Sequence, residues 1–472
     1  LAASGSGNIA AFAGVNTGSA PVTATITVTP VFAACTGTVQ TFTITVNPTP
    51  TVVDPADQTV CNGASTALVT FTGAVGGTTF NWTNNTPSIG LAASGAGNIA
   101  AFAAVNAGTT TVVATITVTP QTAGPVCVGT PQVFTITVHP TPTVVDPTDQ
   151  VVCNGASTAA VNFTGAVGGT VFNWTNNDTS IGLAAAGSGN IGAFTGVNAG
   201  AVPVVATVTV TPVFNGCAGT AQVFTITVNP TPTLTDPVDQ VVCNGAMTTL
   251  VTFVGTAGAT YNWTNDNASI GLAATGSGNI AAFAATNAGT TPLVATITVT
   301  PQTAGPVCVG TPQVFTITVN PTPTVVDPSD QVVCNGATTT AVNFSGTATA
   351  YNWTNNTPSI GLAASGSGNI GAFAATNAGA TVVVATVTVT PEYTFGAVTC
   401  LGTPQVFTIT VNPTPTVVDP ADQTVCNGAS TALVTFTGAV GGTVFNWTND
   451  NTSIGLAASG SGNIAAFAGV NT

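Results

Sequence analysis

The chain has 472 residues, with 14 acidic side chains, one histidine and neither lysine nor arginine, giving a formal net charge of −14. With no lysine or arginine to neutralise phosphate, nucleic acid and anionic membrane surfaces are excluded as partners. Hydrophobic residues still make up 44% of the chain, enough to bury a core, while Thr, Asn and Gly break every apolar run before it could span a bilayer.

An internal repeat organises the rest. The segment Leu-Ala-Ala-x-Gly-x-Gly-Asn-Ile begins at Leu1, Leu91, Leu183, Leu272, Leu362 and Leu456, and tryptophans recur at Trp82, Trp174, Trp263, Trp353 and Trp447. The interval, about 90 residues, suits one two-layer β domain. Asn47-Pro48-Thr49-Pro50, His139-Pro140-Thr141-Pro142, Asn229-Pro230, Asn320-Pro321 and Asn412-Pro413 mark the boundaries. The expected organisation is the C-terminal half of a repeat at 1–47, four full repeats at 48–139, 140–229, 230–320 and 321–412, and the N-terminal half of another at 413–472. Pro-x-Pro linkers are stiff and extended, so the expected array is a rod continuing into further copies of the repeat in a longer chain.

Within 48–139 the elements follow in order. Thr51–Val53 and Gln58–Cys61 read as short strands interrupted by Asp54-Pro55, and Asn62-Gly63 as a turn. Ala67–Phe71 alternates, with Val69 and Phe71 on one face, and Gly76-Gly77 turns the chain again. Phe80 and Trp82 share one side of the next strand, whose Trp is expected in the core and not on a sugar-binding surface. Gly95, Gly97 and Asn98 mark an irregular crossing before Ile99 and Phe102. Ala114, Ile116 and Val118 alternate with Thr115 and Thr117, and Phe134, Ile136 and Val138 with Thr135 and Thr137. Period 2 throughout, with no helical window, predicts an all-β fold: a tandem array of antiparallel immunoglobulin-like sandwiches of about seven short strands each.

Ten cysteines fall as Cys35/Cys61, Cys127/Cys153, Cys217/Cys243, Cys308/Cys334 and Cys400/Cys426, each pair 26 residues apart. Constant spacing and even number predict disulfides, in an oxidising compartment. A zinc site lacks ligands, since His139 is the only histidine. The preferred pairing lies within a repeat, Cys61 with Cys127 and likewise Cys153 with Cys217, Cys243 with Cys308 and Cys334 with Cys400. The alternative staples neighbouring repeats, Cys61 with Cys217. A simple sandwich topology favours the alternative, because it sets the two cysteine-bearing loops of one repeat at opposite poles.

Each boundary is followed by two acids: Asp54/Asp57, Asp146/Asp149, Asp236/Asp239, Asp327/Asp330 and Asp419/Asp422. Two readings stand: a calcium site stiffening the joint, which suits hard oxygen ligands, or an Asp-Pro turn with solvated carboxylates. No Ser/His/Asp arrangement recurs, and an enzyme is not expected.

Phe80-Asn81-Trp82 with the Gly/Asn-rich crossing, and Cys127-Val-Gly before Phe134-Thr-Ile-Thr-Val-His-Pro-Thr-Pro, resembles the PKD-like repeats of large Bacteroidota surface proteins. The Asp-Phe-Gly-Asp-Gly tail of PKD domains is absent. The resemblance covers the whole chain and implies an extracellular, cell-surface location, secretion by the type IX system, and a place in giant adhesins such as those of gliding motility. The expected function is a structural stalk or filament that holds an adhesive tip away from the cell. The alternative is that the repeats themselves bind glycans or surfaces. Neighbouring filaments are further expected partners, because strand edges lack lysine to block lateral pairing.

Overall fold

The computed structural model describes residues 1–472, which divide into two compact units, Leu1–Thr231 and Pro232–Thr472. Both are built from one plan, seen plainly at 48–139.

Alternation of apolar residues with threonine makes a long strand, Val112–Gln121, and a closing strand, Gln132–His139, which pair antiparallel with Val112 opposite Val138. That register points Ala114, Ile116, Val118, Phe134, Ile136 and Val138 at one face, where none is more than 1% exposed. Burying a side chain such as Phe134 this fully contributes about 1.5–3 kcal/mol. The opening strand, Gln58–Cys61, runs parallel to the closing strand and sets Cys61 opposite His139. The tryptophan strand, Thr79–Asn84, pairs with the other edge of the long strand, and a short strand, Ser94–Ala96, completes the sheet. The order across it is opening, closing, long, tryptophan, short.

A second layer covers this sheet. Residues 65–71 and 99–103 touch through the isolated bridges Ser65–Ala103 and Val69–Ile99, and they bring Val69, Phe71 and Ile99 into the same core as Trp82 and Phe134. The ladder strands expected at Thr51–Val53 and Ala67–Phe71 are therefore extended segments. Side chains satisfy backbone groups that a ladder would otherwise engage: Ala67 N–H donates to Gln58 Oε1 at 2.8 Å and Phe71 N–H to Asn98 Oδ1 at 2.9 Å. The expected irregular crossing at Gly95 is a strand instead. Gly95 lies opposite Trp82, and a Cβ there would sit 2.2 Å from Trp82 Cζ2, so only glycine lets the indole lie flat on its neighbour.

The first unit also contains the repeat at 140–229, with the same strand order, and a hairpin of Val22–Val28 with Gln40–Val46. The second unit contains the repeats at 230–320 and 321–412, again in that order, and a small hairpin of Asn446–Thr448 with Ser459–Ser461. A groove of about 610 Å³ in 423–471 is lined by Val434, Ile464 and Phe467, the counterparts of Val69, Ile99 and Phe102. The helical content is limited to three-residue 3-10 turns such as Pro87–Ile89, and no helix is long and apolar enough to cross a membrane. The fold is all-β, a tandem array of β-sandwiches.

Candidate functional site: the inter-repeat junction

Because the opening and closing strands run parallel, both end at the same pole of a repeat. There Asn62, just past Cys61, donates its N–H to His139 O at 2.8 Å and its Nδ2 to Thr141 Oγ1 of the linker at 3.0 Å. Its Oδ1 accepts Asn106 N–H at 2.8 Å, and Asn106 Nδ2 in turn donates to Val138 O at 2.8 Å. The two asparagines thus clamp the end of the closing strand to the start of the linker.

The other cysteine of each repeat sits at the opposite pole. In 140–229 the long strand Val204–Phe214 turns through Asn215-Gly216, both at positive φ, into the strand Cys217–Ala218. Asn-Gly is the preferred pair for such a hairpin turn. Gly219 presses this hairpin against the incoming linker, since a Cβ there would lie 1.8 Å from Pro142 O.

The two poles meet in a disulfide between Cys61 and Cys217, with a Cα–Cα distance of 5.6 Å and a sequence separation of 156. In the second unit Cys243 joins Cys400 in the same way, with the same Cα–Cα distance and a separation of 157. Cys153 and Cys308 are also disulfide-bonded. The pairing expected within each repeat is therefore corrected. Cys127 and Cys334, expected in disulfides, are free thiols, as are Cys35 and Cys426. The reason is distance. A closing strand of eight residues separates the two poles by roughly 25 Å, whereas a disulfide needs Cα atoms within about 7 Å.

What surrounds the bridge differs between the two junctions. Beside Cys61–Cys217, His139 accepts or donates a hydrogen bond with Thr111 Oγ1 at 2.9 Å and meets the Phe214 ring edge-on, with centroids 5.7 Å apart. Beside Cys243–Cys400 the corresponding residue is Asn320, fully buried, with Nδ2 donating to Phe395 O at 3.3 Å and Val398 O at 3.4 Å. Its Oδ1 is buried without a protein partner.

The aspartate pairs divide into two roles. Asp57 Oδ1 accepts Thr135 N–H at 2.6 Å, tying the approach to the opening strand onto the closing strand, and Asp149, Asp239 and Asp330 do the same with Thr225, Thr316 and Thr408. The hydrogen bond from the Thr135 backbone, helped by that residue's side chain, lowers the Asp57 pKa. Asp54, Asp146, Asp236, Asp327, Asp419 and Asp422 are exposed. Nowhere do three His, Cys, Asp or Glu side chains gather as metal ligands, whereas calcium takes six to eight oxygens. Trp82, Trp174, Trp263 and Trp353 lie in the cores as expected, Trp82 at 7% exposure, while Trp447 is half-buried. Sequence reasoning missed the clamping role of Asn106, although an asparagine recurs at Asn198, Asn287 and Asn377 with the same pair of bonds to backbone carbonyls.

No family model matches the chain, and no curated protein matches it. Among solved structures it is similar to Sidekick-1 immunoglobulin domains 1–5, at 12% identity over 84% of this chain and 96% of that one, with a TM-score of 0.26. It is likewise similar to mouse cadherin-23 EC22–24, at 12% identity over 58% and 99%, with a TM-score of 0.29. The protocadherin γB4 extracellular domain matches at 13% identity over 91% and 82%, with a TM-score of 0.28. At such scores these superpositions carry no argument about what the chain does.

Proposed function

We propose that the chain is part of a structural extracellular stalk or filament of a large bacterial surface adhesin, holding an adhesive tip away from the cell. The observation that carries this reading is the stapled junction: successive repeats in each unit are joined both by the chain and by a disulfide between facing poles. A flexible tether has no use for a second covalent link at each joint, whereas a spacer that must keep its direction does. Disulfides also persist in oxidising surroundings, which supports an extracellular location. The resemblance to PKD-like repeats supports a Bacteroidota cell surface, export by the type IX system and service in gliding adhesion. The conserved plan of core, clamp and staple leaves the repeats without a catalytic part in this reading.

The test is binding of the oxidised chain to arrays of glycans and abiotic surfaces. A spacer binds nothing above background. Binding that rises in proportion to the number of repeats would overturn the proposal and make the repeats adhesive modules.

A further inference from the structure

The connectivity of the staples has a mechanical consequence that goes beyond a passive spacer, though it rests on the same reading of the chain as a structural stalk. When a chain is pulled by its ends, the shortest covalent route between them limits its length. Cys61 is 156 residues from Cys217 along the chain but one disulfide away from it, and Cys243 is 157 residues from Cys400 but likewise one disulfide away. Between the two bridges lie only the residues from Cys217 to Cys243, a distance of 26 along the sequence.

We propose that these junction disulfides form a load path that bypasses the bodies of the repeats. Tension enters at Cys61, crosses to Cys217, runs along the closing strand Gln222–Asn229, the Pro230-Thr231-Pro232 linker and the opening strand Gln240–Cys243, and crosses to Cys400. Much of this route is already extended: two β-strands and a Pro-x-Pro linker have almost no slack to release. Most of each core lies off the route, which carries Phe224, Ile226 and Val228 of one closing strand. Trp82, Trp174, Trp263 and Trp353, with the strands that carry them, fall inside the closed loops 62–216 and 244–399, so unfolding them adds no length. This explains why the bridge joins an opening-strand cysteine to the hairpin cysteine of the following repeat. A bridge within one repeat would shelter that repeat but leave every linker and both poles in series with it. In the observed arrangement each staple also spans a linker, so linker and repeat bodies are protected together.

The route predicts two different limiting lengths for one molecule. With both bridges intact, the extensible parts are residues 1–61, 217–243 and 400–472, about 550 Å at full stretch; with all bridges reduced, the whole chain reaches about 1,600 Å. The experiment is single-molecule pulling of the full chain by handles at its two termini, before and after a phosphine reductant, with the bridges verified by mass spectrometry of unreduced peptides. The expected result is a roughly threefold increase in limiting contour length on reduction. A second molecule, carrying Cys61→Ser and Cys217→Ser, opens one loop only and is expected to gain about 500 Å without reductant. Full extension of the oxidised chain with both bridges present would overturn the proposal, as would peptide maps showing Cys61 and Cys217 as free thiols. Failure here leaves the surface-binding result untouched, and surface binding by the repeats leaves the extension measurement untouched, so the two ideas fall separately.

Discussion

Residues 51–78 and 416–443 have the same sequence, yet they do not have the same structure. In the first, Gln58–Cys61 is a strand paired with Ile136–His139; in the second, the identical Gln423–Cys426 forms no strand. Val52 is 7% exposed and Val417 57%. Cys61 is bridged, whereas Cys426 is a free, exposed thiol. Local features are the same in both copies. The bridge between Val69 and Ile99 has its twin between Val434 and Ile464. Ala67 N–H reaches Gln58 Oε1 as Ala432 N–H reaches Gln423 Oε1, at 2.8 and 2.7 Å. The difference is the long and closing strands, present against the first copy and absent against the second. Short-range bonds therefore organise the covering layer by themselves, while the opening strand depends on a closing strand 78 residues further along the chain.

The strongest way to break this comparison is to make the first copy resemble the second. Phe134→Ala empties the centre of the closing strand's packing and should cost about 3–5 kcal/mol in that repeat. Hydrogen exchange is the measurement: amides of Gln58–Cys61 should lose protection, and those around Val69 should lose much less. Equal loss in both segments would show that the covering layer is not locally organised.

Removing the staple comes next. Cys61→Ser should destabilise the joined pair of repeats by about 2–4 kcal/mol in denaturant titration while leaving each core folded. In the unaltered chain, an alkylating reagent should label Cys35, Cys127, Cys334 and Cys426 and spare Cys61, Cys217, Cys243 and Cys400. Labelling of Cys61 at the rate of Cys426 would erase the difference between the two copies.

Side chains around the bridge should matter less. Asn320→Ala leaves the carbonyls of Phe395 and Val398 without that donor, at a cost of about 1–3 kcal/mol. His139→Ala removes the edge-on contact with Phe214, at about 0.5–1.5 kcal/mol. The bridge itself should form in both variants, checked by non-reducing peptide maps, because its geometry is set by backbone and not by these neighbours.

The smallest expected effect is on acid stability. The folded pKa of Asp57 lies below its ordinary value of 3.8, so its bond to Thr135 contributes stability above that pH and loses it as the pH falls through the lowered value. Asp57→Ala should flatten that part of the acid titration of the repeat. A chelator should leave the melting curve unchanged; a clear drop would instead make the exposed acids metal ligands.

Much of this protein was legible before folding. Period-2 alternation identified the faces of the long and closing strands residue by residue, from Ala114 to Val138, because a half-buried strand must alternate. The tryptophan spacing marked the repeat, and the boundary between the two compact units falls within the Pro230-Thr231-Pro232 segment. Side-chain bonds from Asn98 and Gln58 replaced the ladder expected at Ala67–Phe71, and alternation alone cannot distinguish a paired strand from an extended segment satisfied in this way.

The 26-residue spacing by itself showed that the cysteines were a framework, and it left two pairings open. Only the tertiary structure decided between them. Parallel pairing of Gln58–Cys61 with the closing strand sends Cys61 to the pole that faces the next repeat, while Cys127 stays at the other end of a strand. Spacing along a chain records how often a cysteine recurs, whereas a disulfide forms where Cα atoms come within a few ångströms. The direction of one four-residue strand settles which cysteines do so.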